Sequence, residues 1–205
     1  MRSTSASSAP AARKPAAKER VLEAAYELFS GQSTTSVGVE AIVARSGVAK
    51  GSFYKHFASK DDLVVAFLHL WDERWTHAWL IPEVTKRARA PDQQLLALFD
   101  VLDDWFHATG FAGCPPLREL LSSAPGSRVH AAAAEVLANL RAFIERLASQ
   151  AHLHRRTTFA RAWDVLLMGS IVAAVEGDGT AARHAKRAAT LILSGWQRAA
   201  LRAPK

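Results

Sequence analysis

A chain of 205 residues, 49% of them apolar, accommodates one large domain or a small domain joined to a larger one. Its single cysteine, Cys114, excludes an internal disulfide and fits a reducing compartment, and the lack of any run of eighteen apolar residues or of a signal-like N-terminus leads us to expect a cytoplasmic protein with no membrane span. The formal charge of +7 is uneven: residues 1–60 hold nine Lys/Arg against four Asp/Glu, whereas residues 61–205 hold seventeen against fifteen, so a polyanion partner and a basic solubilising tail are both open readings of the first third.

Residues 1–16 are rich in Ser, Ala and Pro and are expected to form a disordered tail. Val21, Leu22, Ala25, Leu28 and Phe29 recur at helical spacing and predict a helix over 17–30, stopped by Gly31. Two short helices over 38–45 and 49–55 follow, then a longer one over 60–80. Pro82 and Pro91 bracket a predicted loop. Further helices are predicted over 92–109, 115–123, 128–150, 156–176 and 180–201, with breaks at Pro125-Gly126 and Gly177-Asp178-Gly179. Neither period-2 alternation nor a hairpin turn is apparent, so the chain reads as all-α with about nine helices. Residues 17–62 form a small N-terminal domain of three helices, and residues 63–205 a larger helical body.

The segment Val39–Tyr54 carries the chemistry. Ile42 and Val43 are the apolar side of one short helix, and Gly47 falls where the chain must turn sharply through φ > 0. Val48 follows as an apolar plug, and a second short helix starts at Ala49. Helix, tight turn and helix in this order is a helix-turn-helix, whose second helix enters the major groove of DNA. Lys50, Ser52 and Lys55 give that helix a polar face, Ala49 and Gly51 let its backbone come close to a partner, and Phe53 and Phe57 are predicted to face inward. The Tyr54 hydroxyl can reach a phosphate, or the ring can simply pack at the edge. Ser59 is a predicted cap for the next helix, with Asp61 and Asp62 in its first turn. Lys60 at this positive helix end breaks the local charge rule, and a phosphate bound there would explain it.

At these residues the chain resembles the DNA-binding domain of the TetR (tetracycline repressor-type) family. The matching residues are Ala24, Ala25, Leu28 and Phe29, then Ile42, Gly47, Val48, Lys50, Gly51, Tyr54, His56, Phe57, Ser59, Lys60 and Leu63, with the spacing GV-x-x-G-x-x-Y-x-H-F-x-x-K. The resemblance implies a homodimer on double-stranded DNA at an inverted-repeat operator, acting as a repressor that a small-molecule ligand releases. It implies phosphate contacts from Tyr54 and Lys60, base-edge positions for Lys50, Gly51, Ser52 and Lys55, and a place beside the backbone for His56. One departure stands out: Val37 and Gly38 occupy positions where the family carries a hydroxyl, so Ser36 or Thr35 is expected to replace that contact.

In the body, the resemblance implies that the last two helices pair with those of a second subunit, with Leu167, Ile171, Ile192 and Trp196 at the interface; wholly intramolecular packing of these faces is the other reading. Trp71, Trp75 and Trp79 recur every four residues and share one helix face. With Trp105, His107, Cys114, Phe143 and Trp163 they are candidate linings of a ligand pocket, or ordinary core. Control by a protein partner or by Cys114 oxidation is the alternative to a small ligand. His152 and His154 lack further ligands for a metal and read as a solvated basic loop. No phosphate loop or nucleophile–base pattern argues for an enzyme, and no metal or cofactor is expected.

Overall fold

The computed structural model of the protein describes residues 15–201, with side chains as far as Trp196. The expected tail therefore lies outside the described residues, apart from its last two. Every regular element among the described residues is a helix: α1 (Ala17–Gly31), α2 (Val39–Ser46), α3 (Lys50–His56), α4 (Lys60–Trp71), a π-helical segment (Asp72–Leu80), α5 (Ile81–Arg87), α6 (Pro91–Phe106), α7 (Pro115–Ser122), α8 (Arg128–Gln150), α9 (Arg156–Val175) and α10 (Ala181–Leu201). Because α4, the π segment and α5 form one unbroken rod, these residues make nine rods, as the sequence implies.

That rod corrects one expectation. Pro82 sits not in a loop but in the first turn of α5. Proline has no amide hydrogen, and its ring collides with the carbonyl four residues back. Here the ladder has already widened to five-residue steps, with the Ile81 N–H donating to Thr76 O, so the ring is accommodated and the helix continues to Arg87. Capping follows local rules elsewhere. The Ser59 hydroxyl accepts from Asp62 N–H, and Asp62 Oδ2 accepts from Ser59 N–H, both at 3.1 Å. The Ser127 hydroxyl receives His130 N–H at the start of α8.

One continuous core joins the two units. It runs from Val21, Phe29, Ile42 and Phe53, through Leu63 and Phe67 of α4, to Leu98, Phe99, Ile144, Phe159 and Trp163. α4 thus packs on both α1 and α8, so the N-terminal helices and the body share one packed interior. By length and composition α9 is apolar enough to cross a bilayer. Yet Phe159, Trp163, Leu167 and Ile171 are buried in the core of the fold, where α9 packs on α8 and α10.

Candidate nucleic-acid interface and body cavity

The turn between α2 and α3 is built as its spacing predicts. Gly47 adopts φ 62° and ψ 28°, a left-handed geometry that a Cβ would strain, and its N–H donates to Val43 O at 3.1 Å. Arg20 of α1 reaches over and donates from Nη1 to the carbonyls of Ser46 and Gly47. Val37, Ile42, Val48, Phe53 and Phe57 are all buried, so α3 is pinned by one side. Its other side is consequently fixed outward: Lys50, Gly51, Tyr54, Lys55 and His56 are exposed and Ser52 is half-buried. Tyr54 is 50% exposed, with its ring edge-on to Phe53. A Cβ on Gly51 would meet nothing within 4 Å, so no contact inside the protein requires a glycine there.

The charges around α3 are partly paired. Lys50 Nζ donates to Glu40 Oε1 at 2.8 Å; this hydrogen bond and the opposite charge raise the lysine pKa and lower that of the carboxylate. Lys60, partly buried, opens α4 directly after the Ser59 cap. Val37 is a core anchor, Gly38 begins α2 without a side-chain cap, and exposed Ser36 donates its hydroxyl to Ser33 O. Thr34 turns inward instead, and its Oγ1 donates to Glu119 Oε2 of α7 at 2.7 Å.

In the body, Trp71, Trp75, Thr76, Cys114, Pro116, Val136, Leu137, Leu140, Met168 and Ile171 enclose a cavity between the α4 rod, α8 and α9. Its volume is about 10 Å³, room for no more than one water molecule. Two of its ten lining residues are tryptophans, part of an aromatic run that extends beyond the cavity. Trp71 and Trp75 stack with centroids 5.9 Å apart and an interplanar angle of 18°, Trp105 lies 4.7 Å from Trp75, and Phe111 packs edge-on to Trp105. In the other direction Tyr26 of α1 stacks on Trp71 at 5.9 Å.

The sequence pattern of the family described as "Bacterial regulatory proteins, tetR family" matches residues 21–67, the segment that holds α1, α2, α3 and the start of α4. Over most of its length the fold matches the structure of a TetR-type transcriptional regulator from Streptomyces avermitilis, with a TM-score of 0.79, 26% identity, and coverage of 89% of this chain and 99% of that one. Residues 21–67 carry the TetR family's pattern, and the fold as a whole is that of TetR-type regulators. The transcriptional regulator QacR of Staphylococcus aureus is 34% identical over 64 residues, a match that spans only a third of that protein's length (33%). The multidrug binding protein EbrR, solved with malachite green, shares the fold at a TM-score of 0.65 and 22% identity.

Within this TetR fold the predicted residues fall into distinct places. Trp71, Trp75 and Cys114 line the cavity; Trp79 and Trp105 pack behind Trp75. The other three pocket candidates lie away from this cavity. His107 is exposed at the end of α6, with Nδ1 2.7 Å from Asp103 O. Trp163 is fully buried against Phe99 and Phe159, and Phe143 belongs to the core beneath Arg146; neither lines the cavity. Of the four interface candidates, two need correction and two remain partly exposed. Leu167 and Ile171 are 1% and 2% exposed inside a single protomer, so they cannot reach a second one. Trp196 packs edge-on to Phe159 and donates Nε1–H to His154 O, and Ile192 is half-buried.

Cys114 is buried, and burial pushes its thiol up to about 11 against the opposing effects of the Leu117 backbone N–H and, less, of Arg118. A redox sensor needs an accessible thiolate, so the oxidation alternative finds no support in this setting. Sequence reasoning missed five side chains, Glu23, Thr34, Arg74, Arg118 and Glu119, that tie α1 and the loop after it to the body. Arg118 of α7 donates to Phe29 O and Gln32 O at the end of α1, and Glu119 holds Thr34. Arg74 forms a two-pronged ion pair with Glu23 of α1, at 3.0 and 2.7 Å.

Proposed function

We propose that the protein is a homodimeric regulator of transcription, acting in the cytoplasm as a repressor, which binds an inverted-repeat operator and is released when a small molecule enters the Trp71/Trp75 cavity. The observation that carries the DNA reading is the pinning of α3. Phe53 and Phe57 hold one side, which leaves Lys50, Gly51, Ser52, Tyr54 and Lys55 outward on a rigid helix. A rigid polar face with a glycine where a base edge must come close suits the major groove. Tyr54, His56 and Lys60 flank that face at places suited to the phosphate backbone, with Ser36 near the start of α2.

Dimerisation is supported by the far side of α9 and α10. From Val165 to Val175 α9 carries no charged residue on any side, which in a helix signals burial on both sides. Its inner side is the core, while Val165 and Val172 remain 71% and 45% exposed with Gly169 between them. On α10, Leu191 is 76% exposed beside Gly195. No atom lies within 4 Å of a Cβ built on either glycine, which leaves space for the helices of a second copy. Two recognition helices then read half-sites one helical turn apart.

Ligand control is supported by the cavity and its two connections to α1, and by the small dye bound in EbrR, a protein of the same fold. A drug-sized ligand needs roughly 300 Å³ or more, so it must spread walls that are now nearly closed. Spreading moves Trp71, which carries Tyr26 of α1 on its face. It also moves Cys114 and Pro116 at the start of α7, whose next residues, Arg118 and Glu119, grip the end of α1 and Thr34. Either displacement rotates α1 and with it the turn that Arg20 holds. The ligand acts by binding the spread state better than the closed one.

A reporter driven by the DNA upstream of this chain's own gene tests the proposal. Expression of the protein is expected to silence it; a reporter indifferent to the protein, or activated by it, contradicts the repressor reading.

A further inference from the structure

Asp72 opens the π segment and is only 7% exposed. Its Oδ2 accepts from Asn139 Nδ2 at 2.7 Å and lies 3.5 Å from His77 Nε2, while Oδ1 is buried with no partner. Asp72 lies next to Trp71 in the chain and one turn before Thr76; Asn139 lies one turn after Val136 and next to Leu140. All four of those neighbours line the cavity. The Asp72–Asn139 pair therefore bridges the α4 rod and α8 beside the cavity, although neither residue lines it.

Other largely buried carboxylates in the body have permanent counter-charges. Asp164 is held by Arg141, Asp103 by Arg183, and Glu119 has Arg118 beside it. Asp72 has neither lysine nor arginine among the described residues, and its one basic neighbour, His77, is 53% exposed. A buried carboxylate with an unsatisfied oxygen is unfavourable, and an apolar ligand would leave it so. The adjacent Trp75 Nε1–H is likewise buried with no acceptor. Parallel indole faces at this spot favour a flat ring, and favour it more when the ring is positively charged.

We infer that the cavity selects flat aromatic cations, with Asp72 as the counter-charge and Trp71 and Trp75 as the stacking faces. The inference rests on the cavity being the ligand site. Narrow walls explain the shape preference, because a planar ring can slide along the indoles where a bulky one cannot.

The test uses the full chain and three probes of nearly one shape: 1-methylquinolinium, neutral 1-methylnaphthalene and anionic 1-naphthoate. Affinities are read by calorimetry and by quenching of tryptophan fluorescence. The cation is expected to bind about tenfold or more tighter than the other two. Asp72→Asn keeps the shape and an acceptor for Asn139; it is expected to remove that preference while leaving 1-methylnaphthalene binding unchanged. Equal affinities for the three probes in the unsubstituted protein overturn the inference and leave the cavity reading standing. So does an Asp72→Asn variant that retains the full preference. Should Asp72→Asn fail to fold, the ranking of the probes on the unsubstituted protein decides alone. Failure of all three to bind overturns the cavity reading together with the inference.

Discussion

Thr34 Oγ1 donates to Glu119 Oε2 at 2.7 Å, and both side chains are buried although 85 residues separate them in the chain. This bond ties the loop ahead of α2 to the helix that begins beside the cavity. A hydrogen bond to a buried carboxylate contributes about 1.5–3 kcal/mol. Thr34→Val keeps the shape and removes the donor, so unfolding in denaturant is expected to require that much less free energy. A change within about 0.5 kcal/mol, the range of ordinary surface substitutions, would show that the contact is not maintained in solution.

Phosphate and base contacts are separable by their salt dependence. Lys60→Ala is expected to weaken binding to all DNA sequences alike and to reduce the slope of log affinity against log salt by about 1. An unchanged slope removes Lys60 from the backbone contacts. Lys50→Ala is expected to alter preference at a base position, since Lys50 stands on the outward face of α3. Glu40→Gln should act on the same position, because Glu40 orients the Lys50 ammonium.

The outward face of α9 and α10 predicts which substitutions separate subunits. Leu191→Glu places a charge on an exposed apolar residue, and sedimentation is expected to report a folded monomer. Trp196→Asp acts differently: it removes the contact with Phe159 and the bond to His154 O, so it is expected to lower the melting temperature of the protomer itself. A folded monomer from Trp196→Asp and an intact dimer from Leu191→Glu would reverse these assignments.

Cys114 gives a pH prediction with a definite sign. The folded thiol ionises near 11 and the unfolded thiol near 9.0, because burial disfavours the thiolate. The stabilising contribution is therefore complete below about pH 9 and is lost as pH rises toward 11. At pH 8 the folded protein is expected to react with a disulfide reagent far more slowly than the unfolded chain. Equal rates would mean that the thiol is accessible.

The parts of this fold that were legible in the sequence are those decided by short-range spacing. Gly47 and Val48, the inward Phe53 and Phe57, and the Ser59–Asp62 cap each follow from residues within about one turn of each other. The helix through Pro82 was not legible, because a widened turn depends on how the tryptophans upstream pack. The partners of Thr34 and Arg118 lie 85 or more residues away, and no local pattern encodes them. α9 misled for a different reason. Uncharged on every side from Val165 to Val175, it has two faces of the same character there, so composition could not tell core-facing Leu167 and Ile171 from outward Val165 and Val172.

The central claim is that α3 reads DNA as one of a symmetric pair. Selection from random double-stranded DNA with the purified protein, followed by sequencing, tests it most directly. The account predicts enrichment of an inverted repeat whose half-sites are centred about one helical turn apart, with Lys50→Ala shifting the enriched bases symmetrically in both halves. Enrichment of no palindrome, or of one that Lys50→Ala, Ser52→Ala and Tyr54→Phe all leave unchanged in sequence and affinity, would contradict it.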